Sequence, residues 1–346
     1  MNYTCVICHD VFVNTRVERS VQKTVRWGIL ATGHIAESFA RDLELTPGHR
    51  LAAVGSRTAG AAQHFVDDFA DDDGARTHAS YEALAADPDL DVIYVATPHS
   101  RHVQDVMTCF EAGQSVLCEK ALAMNATDTA WLVAEARRRG LFFAEAMWMR
   151  TNPAIRRARE MVLAGACGQV GMLRAELGFA APASKTRLWD PAVGASALLD
   201  VGIYPLTFAH LMLGEPTKIV AAGTLSDANI DIAGGATLTY ANGAVATIGW
   251  SQVACTGDSA AVAGDDGRID VPARFHHPDE FTHTHDEVVR TISAPRSGRG
   301  YVHEIEEVGR CLAAGLTESE HLPLDETVAI MAQIDQILAQ IGVPPR

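Results

Sequence analysis

The chain is short of positive charge: 28 Lys and Arg stand against 43 Asp and Glu, a formal net charge of −15. Gripping a nucleic-acid backbone needs a basic face, so no nucleic-acid partner is expected. An anionic cofactor is still compatible, because a few backbone N–H groups and one arginine can hold a phosphate against an unfavourable global field. Long apolar runs are missing too, and none approaches the length that spans a bilayer. The opening residues, MNYTCVICHDVFVNTRVERS, lack the basic start, apolar stretch and small-residue cleavage site of a signal peptide. The expected compartment is the cytoplasm, with no membrane partner. Seven cysteines, an odd number scattered over the chain, read as reduced thiols. No internal repeat or low-complexity tract is visible. Residues 1–24 show no sustained periodicity and are expected to be an extension, partly disordered, ahead of the first domain.

What is present is an ordinary globular composition, 48% hydrophobic and 21% charged, in 346 residues. That length exceeds what one hydrophobic core usually supports, so two domains are expected. Short apolar runs at 25–30, 50–55, 91–96, 115–118 and 141–144 alternate with helical patterns at 35–45, 58–69, 81–86, 102–111 and 127–139. This rhythm means βαβ units and a parallel sheet covered on both faces. The five aspartates of Asp67–Gly74 read as a solvated loop. The rhythm stops near Trp148–Pro153. Strands then follow at 171–179, 219–225, 235–240 and 244–251 and look antiparallel, with Asn242-Gly243 as a tight hairpin turn. Helices are expected at 195–213, 304–314 and 325–341. The fold class is α/β: an N-terminal Rossmann domain with a parallel sheet over residues 25–148, and a C-terminal α+β domain over 149–346. The last helix is free to pack back on the first domain.

The chemistry begins at Gly28-Ile-Leu-Ala31-Thr32-Gly33-His34-Ile35-Ala36, between a strand and a helix. A dinucleotide fingerprint places glycines where the chain turns and where backbone approaches the pyrophosphate. Gly33 fits the close approach, whereas Ala31 stands where the first glycine of the triplet usually is. The second strand ends Gly55-Ser56-Arg57. An NAD site usually has an acid there for the ribose hydroxyls. Its absence, with Ser56 and Arg57 able to hold a 2′-phosphate, favours NADP(H) over NAD(H). The third strand runs into Thr97-Pro98-His99 and on to His102, and the fourth ends in Cys118-Glu119-Lys120. Both lie at the carboxyl end of the sheet, where ligands of doubly wound folds bind. In the second half, Asp200 and Tyr204 are four apart and share a helix face. A tyrosine serves as acid or base when a cation lowers its pKa, as Lys120 can if the domains meet there.

Taken in order, WGILATGHIA, TPHSRH, CEKA, AEAMWMRTNP, RLWDP and LLDVGIYP resemble the Gfo/Idh/MocA oxidoreductases. The likeness is greatest to the branch of dimeric dihydrodiol dehydrogenase and NADP-dependent D-xylose dehydrogenase. It covers Val25 to the C-terminus. It implies a C-terminal domain whose large open, mainly antiparallel sheet forms a homodimer or homotetramer interface. It implies that Lys120 lies near nicotinamide and substrate, that Tyr204 exchanges the proton with the substrate hydroxyl, and that Asp200 orients the substrate. Trp148, Arg150 and Trp189 are implied as pocket walls. The substrate expected is a secondary alcohol or hemiacetal of a sugar, polyol or cyclic trans-diol. The competing expectations are an NAD-dependent inositol-type dehydrogenase and a non-catalytic NADP-binding sensor. Two departures stand out: Ala121 follows the lysine where the family has proline, and Gly194-Ala-Ser-Ala197 replaces a more glycine-rich run.

Two further patterns are read as not functional. Cys5-Val-Ile-Cys8-His9 spells a c-type haem attachment pattern, yet such attachment needs export and no signal precedes it. The histidines between His276 and His285 have a spacing usable by zinc, but His283 and His285 equally suit a polar strand face. No metal is expected.

Overall fold

The apolar runs of the first half line up as one parallel sheet, because each is buried on both faces and each is followed by a helix that returns the chain to the same edge. The computed structural model describes residues 24–70 and 74–345; Cys5, Cys8, His9 and part of the Asp67–Gly74 run lie outside them. The order of elements is β1 (Val25–Leu30), α1 (His34–Glu44), β2 (His49–Gly55), α2 (Ala59–Phe69), β3 (Arg76–His78), α3 (Tyr81–Ala85), β4 (Val92–Val95), α4 (His99–Glu111), β5 (Val116–Glu119), α5 (Ala126–Arg139) and β6 (Phe143–Ala146). The strands lie in the order β3-β2-β1-β4-β5-β6, so the connection reverses direction beside β1 and leaves a crevice at the carboxyl ends. Strand β3, a three-residue edge with no apolar side chain, carried no sequence signal. Helix α4 starts three residues earlier than its apolar periodicity suggests, because its first inward-facing residues are His99 and His102. Asp67 and Asp68, read as loop, belong to the last turn of α2.

After a 3-10 turn at Trp148–Thr151 the chain continues through α6 (Pro153–Leu163), β7 (Val170–Gly178), a π-helical turn (Leu198–Gly202) and α7 (Ile203–Leu213). It ends with β8 (Lys218–Leu225), β9 (Asp231–Thr239), β10 (Val245–Ser251), β11 (Ala260–Gly264), β12 (Arg268–Val271), β13 (Glu280–His285), β14 (Val288–Ser293), α8 (Val302–Ala313) and α9 (Leu324–Gln340). The eight strands order as β14-β13-β12-β11-β7-β10-β9-β8. The sheet is mainly antiparallel, as expected: all neighbours are antiparallel except β7 and β10. They are parallel because the chain leaves β7 through the long segment to α7 and returns only after the β8–β9 pair. Gly243 takes φ +86° in the turn joining β9 to β10, as Asn-Gly predicts.

The stretch Pro191–Leu213 is long and apolar enough to cross a membrane by length and composition, but 83% of its most apolar 18-residue window (mean hydropathy 1.4) is buried inside the protein. Its burial is against the eight-stranded sheet. The indole of Trp250 on β10 lies where a Cβ on Gly234 would be only 2.3 Å away and one on Gly202 3.0 Å away, so these glycines let the π turn sit close to the sheet.

Helix α8 binds the late part of the chain to the first sheet. Its Ile305, Val308 and Cys311 share a core with Trp27, Phe39 and Tyr94. Buried Asp42 on α1 accepts the backbone N–H groups of Arg299, Gly300 and Tyr301 at 2.8–3.0 Å. At the start of α9, Leu324 packs beneath α5, and Ala126 N–H donates to Asp335 of the same helix at 2.8 Å.

Asp42→Ala strands three N–H groups that had a charged acceptor, so unfolding free energy by urea titration should fall by about 3 kcal/mol. Ala31 sits at φ +84°, a conformation that costs a residue with a Cβ about 1–2 kcal/mol. Ala31→Gly is therefore expected to raise stability by about 1 kcal/mol in the same measurement.

Candidate active site

Strand β1 delivers the chain to Ala31, whose N–H donates to Gly55 O at 2.9 Å and ties the first turn to the end of β2. Gly33 then caps α1, and a Cβ there would meet nothing within 4 Å. The first turn of α1 thus opens onto free space, with its unpaired N–H groups and positive dipole end facing it. Thr32 and Ile35 flank the turn half-buried, and exposed His34 stands 3.5 Å from Glu37. Ser56 is buried at the end of β2; Arg57 beside it is exposed and makes no ion pair among the described residues. Across the crevice, Thr97 Oγ1 is buried with no hydrogen-bond partner, just before Pro98 caps α4. An open helix start, an unpaired guanidinium and an orphaned hydroxyl fit a phosphate-bearing dinucleotide. Gly28 does not belong to this cradle. It lies inside β1, where a Cβ would come within 2.7 Å of Leu90, so its smallness serves packing against α3 and the loop after it.

The same rim carries Lys120, held by its neighbours' backbone. His99 Nε2 lies 3.1 Å from Lys120 O and His102 Nδ1 2.9 Å from Ala121 O, across the cis Lys120–Ala121 peptide. His102 is fully buried and its other nitrogen is 2.8 Å from Thr97 O. It is therefore a post inside the rim, a correction to its expected place against the cofactor. His99 Nδ1 faces Gly194 O at 3.3 Å, which docks the loop before the π turn onto α4. Burial lowers both imidazoles, with His99 pushed down to about 3. Glu119 is likewise buried, accepting the Tyr94 hydroxyl and, at 3.2 Å, the N–H of Lys120. Burial raises it to about 7 against the pull of Tyr94 and Lys120. It braces the lysine from below.

Lys120 reaches across to the second half of the chain. Its Nζ donates to Asp200 O at 2.6 Å and stands 3.6 Å from the Asp200 carboxylate and 5.0 Å from the Tyr204 ring centroid. Burial opposes its charge, but Tyr204, Asp200 and Glu119 outweigh that and hold its pKa above the ordinary value. Asp200 also meets Arg187 at 3.2 Å. Burial disfavours the carboxylate, yet Lys120, Arg187 and His99 together pull it down to about 2. The π turn that carries Asp200 is capped by Asp231, which accepts Ser196 Oγ at 2.5 Å and Leu198 N at 2.7 Å.

Tyr204, in the first turn of α7, accepts the indole N–H of Trp148 at 2.6 Å, which leaves its own O–H to donate. Lys120 and Trp148 both act to acidify it, as the sequence suggested for the lysine. Burial outweighs them and raises the phenol to about 12. The resting tyrosine is a protonated acid.

Trp148 lies between stacked rings, Tyr301 at 4.8 Å and His277 at 5.1 Å. Trp189 is half-buried in the loop that also carries Arg187, its indole N–H 3.2 Å from Pro182 O. Arg150 is not a wall of this site. Its guanidinium is buried and donates to Glu326 of α9 at 2.6 Å. A 3-10 turn sends residues two apart in different directions, so Trp148 and Arg150 diverge. Sequence reasoning missed His276 and His277, whose rings lie 4.8 Å from Tyr204 and 5.1 Å from Trp148 respectively. The signal was the adjacent histidine pair, masked by reading the whole histidine-rich run as a metal question. His283, from that run, is instead 2.8 Å from Ala166 O, and its ring stacks with His285. Among the described residues no group of three or more His, Cys, Asp or Glu is disposed to hold a metal ion.

Known proteins are similar to this chain in sequence and fold. Residues 25–146 match the oxidoreductase family with NAD-binding Rossmann fold, and residues 155–270 match the GFO/IDH/MocA C-terminal domain. The trans-1,2-dihydrobenzene-1,2-diol dehydrogenase of Bos taurus is 33% identical over 330 residues, covering 92% of this chain and 97% of that one. The NADP(+) D-xylose 1-dehydrogenase of Hypocrea jecorina is 33% identical, covering 92% and 93%. A 3-ketoreductase from Actinomadura kijaniata, solved with NADP and TDP-benzene, superposes with a TM-score of 0.83 at 23% identity over 92% of this chain and 98% of that one. The α/β fold with a parallel Rossmann sheet and a second, mainly antiparallel sheet, the motifs and these relatives agree, and the chain belongs to the GFO/IDH/MocA oxidoreductase family.

Proposed function

We propose that this chain is an NADP(H)-dependent dehydrogenase or reductase acting on a secondary alcohol or hemiacetal of a sugar, polyol or cyclic diol. The observation that carries the reading is the convergence of Lys120, at the end of β5, with Asp200 and Tyr204, from the π turn and α7, beside an open dinucleotide cradle. A sensor has no use for such a proton-transfer set. The 2′-phosphate is assigned to Ser56 and Arg57, since no carboxylate ends β2. In this reading residues 25–148 bind the cofactor, residues 149–346 bind the substrate, and a second copy covers the open face of the eight-stranded sheet, where Met172 and Val220 are 55% and 54% exposed. A cytoplasmic setting suits the unpaired cysteines Cys109, Cys118, Cys167, Cys255 and Cys311.

When bound, the nicotinamide exchanges a hydride with the substrate carbon. The protein's task is the proton. Tyr204 holds it on the phenol oxygen, with Trp148 filling one lone pair, and gives it to a substrate carbonyl oxygen during reduction. In oxidation the same oxygen must first lose it, with the Lys120 charge favouring that loss. Lys120 also has hydrogens left to donate to the reacting oxygen, and Asp200 accepts from a substrate hydroxyl.

Because the phenol titrates near 12, its deprotonated fraction grows tenfold per pH unit across the working range. Oxidation should accelerate steadily toward alkaline pH while reduction stays level; a plateau in oxidation reached near neutrality contradicts this. Tyr204→Phe should cut turnover in both directions by about 10²–10⁴-fold with cofactor binding intact, measured by nicotinamide absorbance and fluorescence. Arg57→Ala should weaken NADP binding by about 10–100-fold and leave NAD binding unchanged, as read by isothermal titration.

A further inference from the structure

Helices α6 and α8 carry matching polar stripes. Arg156, Arg157 and Glu160 on α6 and Glu306, Glu307 and Arg310 on α8 have the same one-then-three spacing, which sets each trio on one helix face. The two faces wall a cleft of about 560 Å³ that also takes in His303 and His321. None of Lys120, Asp200, Tyr204, Ser56 and Arg57 is among its walls. Most of its charges are spent on one another. Arg157 stands 3.2 Å from Glu160, and Arg310 grips both oxygens of Glu307 at 2.7 and 2.8 Å. Glu306 is 3.6 Å from Nδ1 of His303, whose Nε2 accepts the Ser297 N–H at 3.0 Å. Arg156 is different: it is exposed to the cleft, and its guanidinium makes no ion pair and no hydrogen bond among the described residues. Its charge is nevertheless felt. Burial lowers the imidazoles of His303 and His321, and Arg156 lowers both further, against the pull of Glu306 on one and Glu307 on the other.

We propose that this cleft is a second anion site, separate from the cofactor cradle, which binds the phosphate group of a small phosphomonoester through Arg156 with His321 beside it. A guanidinium without a counter-ion, near two basic rings in a walled cleft, is the arrangement that recognises an anion. The planar fork of an arginine matches a phosphate bidentately, and imidazoles add donors that gain a proton when a dianion arrives. The organic part follows from the room. A bare phosphate fills a small part of 560 Å³, a volume that lies in the range of small-ligand sites. A ligand held there does not compete with NADP.

The test is isothermal titration of the full-length chain, saturated with NADP so that the cradle is filled, at about pH 7.5, where a phosphomonoester is mostly dianionic. The titrants are ethyl phosphate, which has no hydroxyl to offer the active site, and inorganic phosphate. Ethyl phosphate should bind at one site per chain, and inorganic phosphate at the same site more weakly. Arg156→Ala should weaken both by about 10-fold or more, with NADP affinity unchanged. Arg156→Lys, which keeps the charge without the fork, should recover part of the loss. His321→Gln should weaken both by a smaller factor. No binding of either titrant up to about 10 mM overturns the inference, and so does binding that Arg156→Ala leaves unchanged. Inorganic phosphate binding as tightly as the ester, and lost in Arg156→Ala, makes free phosphate the ligand and overturns the phosphomonoester assignment. A chain that does not bind NADP overturns the dehydrogenase reading and leaves this inference standing, because the Arg156 variants still report on the cleft.

Discussion

The structure turns on one largely buried ammonium, its side chain 12% exposed. Lys120 leaves the end of β5 in the first sheet and finds its partners, the carbonyl and carboxylate of Asp200, on the segment that opens the core helix of the second. An ammonium taken out of water with no partner is strongly destabilising, and one with a partner is close to neutral in stability. The contact therefore specifies geometry more than it supplies energy. It makes the lysine's position in the first sheet and the π turn's position against the second a single requirement. Much of the neighbourhood serves it. His99 and His102 fix the carbonyls on either side of the following peptide, Glu119 binds the lysine's own N–H, and Asp231 fixes the start of the turn.

The negative charge of the chain does not conflict with an anionic cofactor once the charges are located. Asp42, at the far end of α1, is spent on the backbone of Arg299–Tyr301. Asp200 is neutralised by Lys120 and Arg187, and Glu119 is held near neutrality by burial. Arg57 makes no ion pair among the described residues. Net charge describes the far field, whereas the cradle is governed by groups within a Debye length, about 8–10 Å at physiological salt.

Reading from sequence succeeded where a local pattern and a tertiary constraint coincide. The buried strands of the first sheet show as continuous apolar runs, and the rim residues follow because a parallel sheet places every strand's carboxyl end on one side. Lys120, Asp200 and Tyr204 were legible because motif order fixed their identities. Strand β3 and the strands after β10 were not legible: they are short or edge-like, with little alternation between apolar and polar positions. Arg150 was misplaced because proximity in sequence to Trp148 says nothing about direction in a 3-10 turn. The lysine that acidifies Tyr204 is visible in the sequence, while the burial that outweighs it belongs to the folded surroundings. His276 and His277 went unread since ring contacts across a loop have no period.

The π turn at Leu198–Gly202 has a consequence for how such a chain can change over evolutionary time. A π turn accommodates one residue more than an α turn. Losing a single residue there would convert it to ordinary helix and rotate Asp200 relative to Tyr204 by about 100°. The loop before this stretch can lengthen, but the count of residues from Ala197 to Tyr204 cannot. Between those two positions the constraint falls on indels, and a reading frame that keeps every motif yet drops one codon would encode a folded protein with its proton donor facing the wrong way.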